Sequence, residues 1–308
     1  MSEKTSIAWC RSTFNPFIGC TKVGPGCDHC YAEALDKRHK WGGAVHWGPG
    51  VPRYRTSATN WKQPLLWNKK AEEEHWRGQR DGIPGEFIAS RPGFWPVFCA
   101  SLADVFDNEV PEEWRRDLWR LIKATQNLEW LLVTKRIGNV TKMVPPLWLT
   151  SSTDGFPPNV RILITVVNQE EADRDIPKLL ALPCKNGISY EPALGPVDWS
   201  RWLAANDLHK IDGGPRLDWI IVGGESGPDA RPFDLGWARK TVEQCTLVDV
   251  PVFVKQLGAQ PIVYATTTPG QRGPIGAEES VTIKPFRDRA GADPSEWPDR
   301  LRVQEFPL

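Results

Sequence analysis

Six short apolar runs constrain the fold of this chain more than any other feature. They occupy residues 96–100, 130–134, 161–167, 187–190, 219–222 and 251–254. Continuous apolar runs of this length are typical of strands buried on both faces, as in a parallel sheet. Segments with helical periodicity separate them. One follows Pro111, where the apolar positions recur at Trp114, Leu118, Leu121 and Ile122. Another begins at Asp234, a helix-capping residue, and the positions it is expected to bury are Leu235, Ala238, Val242 and Cys245.

Strand and helix alternate at a spacing of about 30 residues, which indicates βα units. The pattern predicts an α/β fold, a partial TIM-type (β/α)6-7 barrel with an irregular insertion after the first helix and a C-terminal extension. A doubly wound sheet is the alternative. We assign residues 1–260 to the barrel, 41–95 to an insertion over its mouth, and 261–308 to a polar loop and C-terminal tail.

Polar residues follow each run at the point where a strand would end. In parallel α/β folds, ligands bind outside the carboxyl ends of the strands, so these residues are expected to share one cavity. The candidates that could bind a ligand there are Ser101, Asp104, Lys135, Arg136, Asn168, Glu191, Gly223, Gly224 and Glu225. For Lys135 and Arg136 the alternative is a surface pair that caps the end of a strand.

Three cysteines, Cys20, Cys27 and Cys30, lie on one loop rich in glycine and proline. Three thiolates can hold three corners of a four-iron cluster and leave the fourth iron open. They can also bind zinc if a histidine completes the shell. The absence of a second Cys-x-x-Cys pair favours the cluster. The histidines that could complete a zinc site are His29, His39 and His46.

Composition restricts the partners and the compartment. The net charge is zero, so global charge provides no steering toward nucleic acid or membrane. Residues 37–80 are an exception, since they hold ten Lys/Arg, three acids and several tryptophans. The run is either a solvated face or a surface that binds nucleic acid. No apolar run approaches the roughly 18 residues of a membrane span, and seven cysteines, an odd number, favour a reducing cytoplasm.

The motifs around these residues resemble one family across nearly the whole chain. They are FNPFIGCTKVGPGCDHCYAE at 14–33, NWKQP at 60–64, SLADVF at 101–106, LVTKR at 132–136, YEP at 190–192, GGESG at 223–227 and FVKQLG at 253–258. Together they resemble the phage-associated three-cysteine-motif proteins. That family in turn resembles the radical S-adenosylmethionine (radical SAM) superfamily.

The resemblance implies a [4Fe-4S] cluster held by Cys20, Cys27 and Cys30, with SAM chelated at the open iron. In that superfamily, SAM is cleaved to methionine and a 5′-deoxyadenosyl radical, which abstracts a hydrogen atom from the substrate. The position of Ser101 and Asp104 after the first apolar run favours them for the methionyl amino group. Lys135 or Arg136 suits the methionyl carboxylate, and Asn168 or Glu191 the ribose hydroxyls.

The sequence departs from the superfamily pattern in three places. The cysteines are separated by six residues and then two, where the superfamily has three and then two. His29 precedes the third cysteine, where the superfamily favours an aromatic residue. Gly223-Gly224-Glu225 resembles the Gly-Gly-Glu motif that meets the methionyl amino group, but it follows a late strand instead of the second.

These observations lead to one main functional hypothesis and two alternatives. The main hypothesis is a cytoplasmic radical SAM enzyme that repairs or modifies DNA or RNA gripped by residues 41–95, with an external electron donor. The second is a non-catalytic, zinc-binding, nucleic-acid-binding protein. The third is a cluster-bearing subunit that works only with a protein partner.

Overall fold

The computed structural model of the protein describes residues 3–81, 94–150, 155–203, 216–264, 280–282 and 286–307. The described strands are β1 (Ser12–Phe14), β2 (Phe17–Ile18), β3 (Tyr54–Arg55), β4 (Pro96–Cys99), β5 (Glu129–Thr134), β6 (Val160–Thr165), β7 (Lys185–Tyr190), β8 (Ile220–Gly223), β9 (Phe233–Asp234), β10 (Val252–Gln256), β11 (Pro261–Tyr264) and β12 (Ser280–Thr282). The described helices are α1 (Tyr31–His39), α2 (Ala58–Asp81), α3 (Glu112–Ala124), α4 (Ile137–Met143), α5 (Gln169–Leu180), α6 (Ser200–Leu203) and α7 (Leu235–Thr246).

Seven strands form one sheet in the order β1-β4-β5-β6-β7-β8-β10, and every neighbouring pair is parallel. The order follows the chain without reversal, so the sheet has no topological switch point of the kind found in doubly wound folds. It curls into a half-barrel with helices outside. The predicted partial TIM-type barrel is confirmed. Two small sheets, β12-β11-β9 and β2-β3, lie beside it.

All six predicted apolar runs coincide with strands of the large sheet, and both predicted helices are present as α3 and α7. The side chain of Asp234 caps α7 by accepting a hydrogen bond from Gly236 N. One detail of α7 differs from the prediction, because Thr241 is buried and Val242 is only partly buried. Strand β1 was not predicted.

The strands bury their two faces in two different cores. One core, between sheet and helices, takes alternate residues such as Leu132, Ile162 and Val222. A second cluster fills the inside of the half-barrel, and its buried members are Trp9, Cys10, Leu131, Leu163, Trp219, Ile221, Phe253 and Phe306. Because this interior is packed with side chains, space for a ligand is left at the carboxyl ends of the strands.

The segment 261–308, expected to be a polar loop and tail, instead contributes β11 and β12 to the small sheet with β9, and its residues 303–306 pack along β10. Val254 N donates to Val303 O at 2.8 Å, and Glu305 N donates to Val252 O at 3.0 Å. Phe306 then enters the interior cluster. Residues 82–93 of the expected insertion and 265–279, 283–285 and 308 of the expected tail lie outside the described residues. None of the helices described is both long enough and apolar enough to cross a membrane.

Candidate functional site

The cysteine loop (residues 19–30) connects β2 to α1 and forms one wall of a cavity. Cys20, Cys27 and Cys30 all line this cavity, whose volume is about 120 Å³. Ser101 and Lys135, which follow β4 and β5, also line it. The space is smaller than the roughly 300–1,000 Å³ of pockets that enclose a small molecule. A ligand of nucleotide size would therefore extend across its rim.

Gly19 fixes the point at which the chain enters this loop. Its φ is +109°, and a Cβ there would lie 2.2 Å from His46 O, so only glycine fits. The close approach brings residues 46–53 against the loop, where Gly48 N donates to Cys20 O at 2.9 Å. The start of the expected insertion is thus a fixed wall of the site.

A buried arginine holds that wall in place. Arg53 pairs with Asp107, and both side chains are almost completely buried. Its guanidinium also donates to Thr21 Oγ1 at 2.7 Å and to three carbonyl oxygens of residues 46–51. A buried charge of this kind is stable only when it is paired and fully hydrogen-bonded. Arg53 meets that requirement and ties three segments together around the cysteine loop.

Ser101 and Asp104 both line the cavity, and both already have hydrogen-bond partners within the protein. Asp104 accepts hydrogen bonds from Phe106 N, Lys135 N and the Thr134 hydroxyl at 2.8–3.0 Å. Burial raises the pKa of the Asp104 carboxyl, and these hydrogen bonds oppose the rise. The Ser101 hydroxyl accepts from Asn15 Nδ2 at 2.9 Å.

Lys135 and Arg136 point to different surroundings. Lys135 lines the cavity, and its ammonium group lies 3.4 Å from Thr165 Oγ1. No carboxylate of the described residues lies within salt-bridge distance of it. Arg136 turns behind the loop, donating to Thr21 O at 2.8 Å and lying 3.5 Å from Asp107. Lys135 therefore presents positive charge to the cavity, whereas Arg136 supports the loop.

Cys20 lies in surroundings that disfavour its thiolate. Burial raises the pKa of its thiol to about 12, with further contributions from the negative charges of Asp104 and Asp107. Arg136 opposes these effects through its charge and a hydrogen bond. A bound metal would add the positive charge that a thiolate here requires.

Asn168 and Glu191 do not line the cavity. Asn168 caps α5, since its side chain accepts from Glu171 N at 3.0 Å. Glu191 forms an ion pair with Lys255 across the ends of β7 and β10. Neither structural role supports a contact with ribose, and the predicted role of both residues stays a prediction.

Gly223, Gly224 and Glu225 also lie outside the cavity lining. A Cβ on Gly224 would lie 2.9 Å from the Phe233 ring, which explains glycine at that position. Glu225 accepts hydrogen bonds from Arg231 and faces His29 Nδ1 at 3.0 Å. Burial opposes ionisation of Glu225, but these hydrogen bonds lower its pKa overall.

Comparison with known proteins identifies the family. A family model described as a protein of unknown function (DUF5131) matches residues 4–278, most of the chain. The chain belongs to the DUF5131 family. None of the curated proteins matches it. Among solved structures, a mutant of spore photoproduct lyase is similar over 95% of this chain and 72% of that chain, with 13% identity and a TM-score of 0.39. At this level of similarity, function has to be inferred from the site itself.

The histidines considered as zinc ligands have other partners in this DUF5131 protein. His46 is buried, and its two ring nitrogens lie 3.0 and 2.6 Å from Pro52 O and Trp41 O. His29 faces Glu225, and the His39 ring stacks near Trp41 at 5.0 Å. Among the described residues, no three His, Cys, Asp or Glu side chains are grouped to hold a single metal ion.

The aromatic residues of the expected insertion divide between core, cavity and surface. Trp67 is buried in the main core, and Trp47 lines the cavity. The Trp61 ring packs under the guanidinium of Arg55 at 4.6 Å. Trp76, on α2, is 59% exposed. Trp76 is thus the one of these four whose ring is open to a partner.

Sequence reasoning missed three residues that build the site. Asn15 bridges the ends of β1 and β4 by contacting Ser101 and accepting from Leu102 N at 2.7 Å. Tyr31 lines the cavity and donates its hydroxyl to Ser101 O at 2.8 Å. Asn15 and Tyr31 both lie inside the cysteine motif at 14–33, so that motif could have identified them. Arg231, which reaches the cysteine loop from about 200 positions away, carries no local signal.

Proposed function

We propose that this protein is a radical SAM enzyme whose cysteine loop holds a [4Fe-4S] cluster. One observation carries the proposal: three thiols of one loop line one cavity at the carboxyl ends of parallel strands in a half-barrel. Ligands of parallel α/β folds bind at that end of the sheet.

The residues around the cavity fit such a cluster better than a single metal ion. In a four-iron cluster each thiolate binds its own iron, so the three sulfurs need not converge on one point. The described residues offer no converging set for one ion. Cations near the loop, Lys135 and Arg136, can balance the negative charge of a thiolate-bound cluster.

The chemistry of the cofactors would be that of the superfamily. A bound cluster, reduced by an external donor, would supply the electron for reductive cleavage of SAM. The residues of the protein would bind and orient SAM and would shield the reaction from solvent. Lys135 would pair with the methionyl carboxylate, and the Ser101 hydroxyl and the Asp104 carboxylate would hold the methionyl amino group. Trp47, Phe98 and Val133 line the same cavity and would shield a bound ligand from water.

We further propose nucleic acid as the substrate, contacted by one face of α2. Lys62, Lys69 and Trp76 are exposed and follow one another at intervals of seven residues, which places them along one side of the helix. An exposed tryptophan beside lysines is suited to stacking on a base while the lysines contact phosphates. This arrangement supports a role in repair or modification of DNA or RNA.

Anaerobic reconstitution with iron and sulfide tests the proposal. We expect a brown protein with about four irons per chain, whose visible absorbance bleaches with dithionite and which then releases 5′-deoxyadenosine from SAM. Cys27→Ala should lose most of the iron and all of the product. Cys184→Ala is the matched control, because Cys184 lies outside the cavity lining, and it should behave as the wild type.

Three results would contradict the proposal, each in a different way. Stoichiometric zinc without iron would favour a structural zinc site. Full iron content in Cys27→Ala would remove Cys27 from the ligand set. Iron uptake without SAM cleavage, under every electron donor tried, would favour a cluster-bearing subunit of a larger complex.

A further inference from the structure

We propose that Glu225 and Arg231 form a latch that holds the cysteine loop against the barrel. Glu225 in this chain would then position the loop and would not bind the amino group of SAM. The inference rests on the proposed function for its link to the cluster, but the latch itself is a property of the protein without cofactor.

The latch begins with a closely bonded carboxylate and guanidinium. Arg231 donates to Glu225 through its backbone N at 2.8 Å and through Nε, and its Nη2 forms an ion pair with the same carboxylate. The backbone of Glu225 is fixed as well, since Glu225 O accepts from Ala259 N at 2.8 Å. The Glu225 side chain is only 10% exposed. Bidentate pairs of this kind are strong and directional.

From this base, three contacts reach the second half of the cysteine loop. Arg231 Nη2 donates to Pro25 O at 2.9 Å, and Nη1 donates to Asp28 Oδ2 at 3.2 Å. Glu225 Oε2 lies 3.0 Å from His29 Nδ1. These contacts surround Cys27, whose backbone N–H closes the turn by donating to Gly24 O at 2.9 Å. The first half of the loop has separate supports in Arg53 and Arg136.

The same contacts leave Glu225 without the means to bind an amino group in the cavity. Its oxygens are occupied by Arg231 and His29. Glu225 does not line the cavity, whereas Ser101, Asp104 and Lys135 do. The Gly-Gly-Glu sequence of this chain follows β8, a late strand. From there it joins the ends of β8 and β10 to the cysteine loop.

Hydrogen exchange of the cofactor-free protein tests the latch directly. The amides of Cys27 and Asp28 are hydrogen-bonded within the loop. We expect Glu225→Gln and Arg231→Lys each to speed their exchange by about tenfold or more, because the charge-assisted hydrogen bonds of the latch are weakened. Lysine keeps the charge but cannot make the forked contacts of arginine. The amides should therefore exchange faster in Arg231→Lys even though the charge is retained. Arg287→Lys is the control, since Arg287 also pairs with a carboxylate, that of Glu296, but its side chain is 88% exposed and the pair involves no residue of the cysteine loop.

A second measurement uses the cluster-loaded protein. We expect Glu225→Gln to lose iron to a chelator about tenfold faster than the wild type, while its Kd for SAM changes less than about twofold. Unchanged amide exchange in both variants would overturn the latch. A tenfold loss of SAM affinity with unchanged exchange would overturn it too, and would return Glu225 to ligand binding. If the wild type takes up no iron, the proposed function fails, and amide exchange still decides the latch.

Discussion

At the carboxyl ends of β4 and β5, a single carboxylate connects two neighbouring strand ends. Asp104 accepts from Phe106 N, the Thr134 hydroxyl and Lys135 N, and its side chain faces the cavity. Its position after a strand predicted a ligand contact. The structure adds that Asp104 orients Lys135, the residue proposed to receive the methionyl carboxylate.

Replacing this carboxylate by an amide tests the structural part of its role. Asp104→Asn places an NH2 group against donors, so we expect the free energy of unfolding to fall by about 1–3 kcal/mol. Urea denaturation followed by circular dichroism measures the change. Asp299→Asn is the control, because its side chain is 91% exposed, and it should change stability by less than about 0.5 kcal/mol. Equal stability of the two variants would show that Asp104 is not needed to join the strand ends.

A second residue-scale contact fastens α2 to the start of the barrel. Arg11 makes two hydrogen bonds of 2.7 Å to Glu74, and its guanidinium lies 3.5 Å from the centre of the Trp95 ring. The hydrogen bond and charge of Arg11 lower the pKa of Glu74 below its ordinary value of 4.5. Both side chains are 36% exposed, so solvent screens the pair.

This pair gives a pH-dependent prediction. A carboxyl with a lowered pKa contributes stability above its unfolded pKa and loses it as the pH falls through the folded pKa. Glu74→Gln should therefore be less stable than the wild type by about 0.5–1 kcal/mol at pH 7. The difference should close below pH 4.5. Thermal unfolding between pH 3 and 7 measures it, with Glu112→Gln as an exposed control. A stability difference between Glu74→Gln and the wild type that does not change with pH would mean that the charge of Glu74 does not contribute to stability.

Among the elements, the strands that were predictable are those that bury both faces. Runs such as β6, with all six residues buried, are mainly apolar in sequence because neither face meets water, and the buried Arg161 is paired with Glu129. Strand β1 is only Ser12–Phe14. Its polar Ser12 is buried, and its hydroxyl accepts a hydrogen bond from Trp95 Nε1 at 2.8 Å. No local pattern marks such a strand, since its partners lie about 80 positions away. The candidate site divides in a similar way. Of the residues predicted just past strand ends, Ser101, Asp104 and Lys135 line the cavity, whereas Arg231, which acts through long-range contacts, carried no local signal.

The cysteine loop is the element whose packing most directly controls the proposed metal site. A Cβ on Gly26 would lie 2.8 Å from Val167 Cγ1 and 3.3 Å from Lys135 Cε. Gly26→Ala should push the loop away from the ends of β5 and β6, at a cost of about 1–3 kcal/mol. We expect iron content after reconstitution to fall by at least half while the protein remains folded.

Gly227→Ala provides the comparison for this variant. A Cβ on Gly227 would meet nothing within 4 Å, so iron content and thermal stability should both match the wild type. If Gly26→Ala also loads iron fully, the close packing of the loop on the strand ends is not what places Cys27.

For the molecule as a whole, the interior of the half-barrel and the carboxyl ends of its strands have different roles. The interior holds an aromatic cluster in which the Phe306 ring lies 5.7 Å from Trp219 and 5.2 Å from Phe253. The carboxyl ends carry the cavity, the cysteine loop and, beside them, the segment that leads into α2. A packed interior with a polar site at the strand ends lets one fold combine stability with a reactive site.

The proposed substrate face of α2 belongs to this scale, because it concerns a partner larger than the cavity. We expect Trp76→Ala to weaken binding of a fluorescent single-stranded oligonucleotide by about 1–3 kcal/mol, because its indole would no longer stack on a base. Lys62→Gln combined with Lys69→Gln should reduce the slope of log K against log salt by about 0.7 for each phosphate that the helix no longer neutralises. Fluorescence anisotropy at several salt concentrations measures both effects. Lys142→Gln, an exposed lysine on α4, should leave affinity and slope unchanged. If all three proteins bind like the wild type, nucleic acid does not contact α2, and the substrate has to be sought at the rim of the cavity.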